Sequence, residues 1–231
     1  MSHAISAFRG HRLDRRLLHL RRALLGLIAT AVAMVLALPL TPAHAETHAG
    51  TDWSRVVNET SSGAYVVGNP AAKTKLVEYM SYTCPHCAHF AAEGMPPLTK
   101  GWIATGKASL EFRNFIRDGF DLTAALLARC GGKAHFLRNH DAIFNTYDKW
   151  MPKAVTYSKA RAKTEAQQGD AAKQQPAEFI AISKATGLSA LIAAQGVPAA
   201  TQQQCLADKT MLATVLELTA NAWDNKGFDG T

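Results

Sequence analysis

The chain has 231 residues, room for one domain with an insertion or for two small ones. Its formal charge of +7 is concentrated at one end: residues 1–45 hold six arginines against Asp14, which leaves +2 for everything that follows. No basic cluster interleaved with aromatics occurs in that remainder, so the footprint of a nucleic-acid-binding protein is missing.

Residues 1–45 read as an export signal. An Arg-rich start (Arg9 to Arg22) precedes an apolar run from Ala23 to Leu38, then Pro39, Pro42 and the small-x-small triplet Ala43-His44-Ala45. The run is about 16 residues, short of the roughly 20 that span a bilayer, and cleavage is expected after Ala45. Arg15-Arg16 and Arg21-Arg22 lack twin-arginine context, and no cysteine near the cut invites lipid attachment. The mature chain is expected in the periplasm, without membrane insertion after cleavage, where disulfides persist.

Residues 46–63 are polar and rich in Gly, Ser and Thr, and are expected to form a mobile leader. The run from Ala64 to Val67 reads as a short strand stopped by Gly68-Asn69-Pro70. Lys75 to Tyr82 reads as a second strand, near-continuously apolar as in a strand buried on both faces. Cys84 then stands at a helix N-cap with Pro85 at the first helical position, where its missing N–H costs nothing. The helix is expected to run to about Thr105, kinked near Pro96-Pro97 and released by Gly106. Ala108 to Phe115 is a third strand, completing a parallel βαβ unit.

From residue 119 to 226 the pattern is helical. Asp121 is expected to cap a helix carrying Leu122, Ala125, Leu126 and Arg129. Phe136, His140, Ile143, Phe144 and Tyr147 form one helical stripe, with His140 a hydrogen-bonded histidine at the core edge. Ser158 to Gln175 is low-complexity and mixed in charge, expected as a solvated loop or frayed helix. Pro176 opens the next helix and Gly187 closes it. The last helix starts at the N-cap Asp208 and buries Met211, Leu212, Val215, Leu218 and Ala222.

The Cys84-Pro85-His86-Cys87 sequence carries the chemistry. A structural zinc site needs four ligands, and Cys130 and Cys205 are isolated, so no metal is expected. Covalent haem attachment needs histidine after the second cysteine, where Ala88 stands. A staple closing so short a loop would remove almost no chain entropy. The redox reading uses every residue. A thiol at a helix N-terminus faces unpaired N–H groups that favour thiolate, His86 adds a donor or a positive charge, and Pro85 stiffens the turn. Cys84 is therefore expected to be exposed and acidic, and Cys87 more buried, as the resolving thiol. Cys130 and Cys205, the remaining cysteines of an exported chain, are expected to form a structural disulfide between packed helices; two buried thiols are the alternative.

The stretch "YMSYTCPHCAHF", the strand before it, the "LEFRNF" strand after it and the long helical part resemble the DsbA family of exported disulfide oxidoreductases. The resemblance runs from Ala64 to Thr231 and is strongest over 75–117. It implies an α/β, thioredoxin-like fold interrupted by an all-helical insertion. The expected divisions are 64–118 for the first thioredoxin-like half, 119–226 for the insertion and 227–231 for the start of the return. The cis-proline loop of the family would follow Thr231, so the later strands and closing helix are expected to be missing. By position, Cys84 matches the nucleophile, Cys87 the resolving cysteine and His86 the thiolate-stabilising residue. Glu78 matches an acid buried beneath the pair that helps move a proton.

The resemblance implies no cofactor, reduced secreted proteins as substrates, a membrane partner that reoxidises the pair, and a monomer. Disulfide isomerase or reductase activity uses the same residues and remains the alternative, with a non-catalytic binding module as a reading of another class.

Overall fold

The computed structural model describes residues 50–165 and 176–224. The signal at 1–45, the first leader residues and the return at 227–231 lie outside them. Among the described residues four strands, β1 (Val57–Glu59), β2 (Tyr65–Gly68), β3 (Thr74–Met80) and β4 (Ala108–Asn114), form one sheet in the order β1-β2-β4-β3. β2 is antiparallel to β1 and β4. β3 and β4 run parallel, with Leu76 opposite Leu110 and Glu78 opposite Phe112. This is the expected βαβ pair, whose crossover begins with the Cys84 helix.

The mobile leader expected over 46–63 is not what residues 50–63 form. Asp52 accepts the Ser54 N–H at 3.1 Å and caps a 3-10 turn, Trp53–Arg55. The Trp53 N–H donates to the Ala104 carbonyl at 3.2 Å. β1 then pairs with β2 around a turn closed by Ala64 N–H on the Thr60 hydroxyl at 3.0 Å. Val57 packs on the core, and this apolar residue inside a polar stretch makes a fourth strand where three were expected. Gly106 shows how closely the turn sits: its φ is +75°, and a Cβ there would come within 2.8 Å of the Trp53 ring.

β3 also departs from expectation. It is not buried on both faces: Val77 is 43% exposed and only Met80 is buried. Among the described residues β3 pairs with β4 alone, so the apolar run covers a strand with one open edge.

The helix after the cysteine motif follows a stepped path. α1 (Pro85–His89) passes through a wide π turn, Phe90–Gly94, into α2 (Met95–Leu98), and a second π turn spans Thr99–Ile103. Pro96 and Pro97 have no N–H for the i→i−4 ladder, and the backbone takes wider turns around them.

The remaining helices are α3 (Gly119–Arg129), α4 (Lys133–Asn145), α5 (Tyr147–Glu165), α6 (Pro176–Thr186), α7 (Leu188–Ala194), α8 (Ala199–Ala207) and α9 (Lys209–Trp223). α3 is their hub. Every residue from Asp121 to Arg129 is buried, and the helix packs on α4, α6, α7, α8 and α9. Its cap is Asp118 and not the expected Asp121, because the extended backbone at Asp118 lets its carboxylate accept the Asp121 N–H at 2.8 Å. The stripe through Phe136, His140, Ile143 and Phe144 is buried, but Thr146 leaves helical geometry and Tyr147 opens α5. Ser158 to Glu165, expected as loop or frayed helix, continues α5; the rest of that stretch lies outside the described residues. α9 starts at Asp208 and buries Val215, Leu218 and Ala222, with Met211 and Leu212 partly covered. Thr219 joins it to the sheet, donating to the Asn114 carbonyl at 3.2 Å and accepting the Ile116 N–H at 3.0 Å.

Candidate active site

β3 ends at Met80, and three residues, Ser81, Tyr82 and Thr83, carry the chain to Cys84. Cys84 is the N-cap of α1, with extended φ and ψ of −84° and 120°, and Pro85 follows at the first helical position. The Cys84 sulfur accepts the Cys87 N–H at 3.4 Å. A helix start offers unpaired N–H groups and a positive dipole end, both of which lower a thiol's pKa. Burial pushes the Cys87 thiol the other way, up to about 12, with the Cys84 sulfur and Glu78 adding to the push.

The expected exposure of Cys84, with Cys87 the more buried of the two, is not found. Cys84 is 1% exposed and Cys87 8% exposed. The cause lies beyond the local sequence: Ser81, Tyr82 and Thr83 are all buried, and Tyr147, at the start of α5, donates its hydroxyl to the Thr83 carbonyl at 3.2 Å. The helical part therefore closes on the step that leads into Cys84. The two thiols differ in their electrostatic setting and not in exposure.

Glu78 lies on β3, close enough to Cys87 for its charge to raise that thiol. The residue as a whole is partly buried, but Oε2 is shut away from solvent and meets no hydrogen-bond partner. Burial pushes its carboxyl up to about 7. Such a group can hold or release a proton near neutral pH. His86 and Pro85 are exposed on α1, so the imidazole sits at the rim of the pair.

Sequence reasoning missed a set of polar residues around the 81–83 loop. Asp121 is fully buried. Its Oδ2 accepts from the Ser81 hydroxyl at 2.6 Å and the Arg117 N–H at 3.0 Å, and its Oδ1 accepts the Tyr82 N–H at 2.7 Å. Burial pushes this carboxyl up to about 7, against the lowering effect of those three donors. Asp118 takes the Thr83 hydroxyl at 3.0 Å. The Asp118-x-x-Asp121 spacing was the available signal, since an acid at the third helical position is the mark of a capping box. Here that acid reaches across to another element. Tyr82 is held further by His140, whose Nδ1 lies 3.0 Å from the phenol oxygen. Burial pulls His140 down to about 3, so it is a neutral core residue.

Cys130 and Cys205 stand apart from this site. They are joined in a disulfide with Cα atoms 5.6 Å apart, tying the end of α3 to α8. Among the described residues no group of three or more His, Cys, Asp or Glu side chains could hold a metal ion.

The sequence model of the family described as Thioredoxin matches residues 60–231. The chain belongs to the thioredoxin family. Its arrangement is the DsbA type, a thioredoxin-like unit interrupted by helices. The crystal structure of a protein-disulfide isomerase from Novosphingobium aromaticivorans is 32% identical, with a TM-score of 0.63 over 72% of this chain and 82% of that one. DsbA1 of Wolbachia pipientis, 23% identical with a TM-score of 0.56, shares the fold over 78% of this thioredoxin-family chain and 77% of its own. A provisionally named protein-disulfide oxidoreductase of Rickettsia typhi is 39% identical over 98 residues. That match covers 42% of this chain and 36% of the relative, so it spans about a third of the curated protein's length.

Proposed function

We propose that this chain is an exported thiol:disulfide oxidoreductase that introduces disulfides into periplasmic proteins through Cys84 and Cys87. One observation carries the reading: two cysteines one helical turn apart have opposite settings. Cys84 takes an N–H at a helix cap, while Cys87 is raised to about 12 above an unpaired buried carboxyl oxygen. In the oxidised pair, a substrate thiolate attacks the Cys84 sulfur, the Cys84–Cys87 bond breaks, and Cys87 leaves as a thiolate that takes a proton from Glu78. A second substrate thiolate then attacks its partner sulfur in the mixed disulfide and releases Cys84 as thiolate. The substrate gains one disulfide and the enzyme gains two electrons, which a disulfide-bearing membrane partner removes. His86 and Pro85 tune the pair from its rim, and the chain acts as a monomer without a cofactor. Export rests on residues 1–45, with cleavage after Ala45.

Ultraviolet thiolate absorbance and alkylation of the reduced protein across pH test this. Cys84 should be labelled first, with a midpoint well below the ~8.5 of a free cysteine. A free-thiol midpoint, or preferential labelling of Cys87, would overturn it. A second reading, disulfide isomerase, is favoured by the name of the 32%-identical Novosphingobium protein. Faster turnover of a scrambled substrate protein than of a reduced one would select that reading.

A further inference from the structure

Asp121 takes no part in the redox step, yet it is a buried carboxylate that points away from its own helix. Burying a carboxylate is costly unless it is fully hydrogen-bonded. Two of its three bonds reach the loop before Cys84, at 2.6 Å to the Ser81 hydroxyl and 2.7 Å to the Tyr82 N–H. These are short bonds for a hydroxyl and an amide donor. Asp118 and Tyr147 hold Thr83 from the same side. Each residue between β3 and Cys84 is thus gripped by the helical part, and Asp121 makes the two shortest contacts of that grip.

We propose that Asp121 is a positioning residue for Cys84: it fixes the Ser81–Thr83 backbone so that the Cys84 sulfur meets the Cys87 N–H. The inference rests on the redox reading of Cys84 given above. A loop that drifts would lose the N–H bond to the sulfur and with it part of the thiolate's stabilisation.

Asp121→Asn in the full chain is the first test. Asn keeps size and its oxygen can still accept the Tyr82 N–H, but its NH2 is a donor and can accept from neither Ser81 nor Arg117. The Cys84 thiolate midpoint should rise by about 0.5 to 1 pH unit, slowing alkylation below the midpoint by about 3- to 10-fold. Ser81→Ala leaves the charge in place, removes one bond and should shift the midpoint the same way by about half as much; it carries the test if Asp121→Asn fails to fold. Asn139→Ala is the control for general loosening. Its amide donates to the Leu127, Ala128 and Cys130 carbonyls at the far end of α3, so it should lower the melting temperature and leave the midpoint alone. A falling midpoint in Asp121→Asn, with none in Ser81→Ala, would mean that charge acts through space, and positioning is wrong. Positioning is also wrong if neither variant moves a depressed midpoint, or if Asn139→Ala moves it as far. A free-thiol midpoint in the unaltered protein would remove the redox reading and this inference together.

Discussion

At its N-terminal end α3 holds the Cys84 loop through the Asp118 and Asp121 carboxylates. At its C-terminal end it is bonded covalently, Cys130 to Cys205, while Asn139 satisfies the last carbonyls. Both ends secure a cysteine, but by different physics. The polar end depends on protonation and can be adjusted; the covalent end does not titrate and constrains the unfolded chain as well as the folded one. On the proposed role of Asp121, the difference separates reactivity from stability along a single helix.

That separation can be broken from either end. The largest effect is expected from Cys84→Ser, which should lower thiol–disulfide exchange by at least about 100-fold, since a serine hydroxyl is neither an effective nucleophile nor a leaving group here. Thermal unfolding should barely change, and an exchange assay on reduced substrate protein beside a melting curve checks both halves. Next comes the double variant Cys130→Ala with Cys205→Ala. It opens a 75-residue separation, and by loop-closure entropy should cost up to about 4 kcal/mol in denaturant unfolding. The Cys84 midpoint should stay where it was. Mass mapping of the unreduced protein comes first, because two alkylatable thiols at 130 and 205 would remove the premise.

The smallest effect is a pH dependence of stability. Glu78 and Asp121 are raised from 4.5 and 3.8 to about 7, and Asp141 is pushed up by burial in the same direction. The folded state then binds more protons than the unfolded one between about pH 4 and 7, so these groups lose stability as pH rises through that window. His140, lowered from 6.5 to about 3, works against them and loses stability as pH falls below 6.5. The carboxyls outnumber the imidazole, so unfolding free energy should be higher at pH 5 than at pH 7.5. That gain should vanish in a Glu78→Gln, Asp121→Asn double variant, which leaves His140 to set the slope. A profile that falls from pH 7.5 to pH 5 in the unaltered protein, the slope His140 alone would give, would show that both carboxyls titrate normally.

The parts of this arrangement that could be read from the sequence are those with local causes. Cys84 as N-cap and Pro85 at the first helical position follow from the order of four residues. Asp208 and Gly187 mark helix boundaries by their own backbone preferences. What escaped notice depends on distant partners. Asp121 looked like a cap because its loop partners lie 39 and 40 residues earlier. The burial of Cys84 involves Tyr147, 64 residues from the carbonyl it holds. β1 was hidden because a three-residue strand among polar neighbours shows no periodicity, and only pairing with β2 makes it one.

Arg129, one residue before the disulfide, is buried with its guanidinium 4.5 Å from the Tyr65 ring centre and donates to the Gly63 carbonyl, 66 residues back. Glu59 on β1 lies 3.9 Å away. The β1–β2 hairpin therefore leaves the ribosome long before the side chain that fastens it has been synthesised. In kinetic terms this is a non-local contact, the kind that slows folding because loop-closure entropy is spent before any contact is gained. The expected outcome is that amide protection in β1 arises together with that of α3 and not with the β1–β2 turn alone.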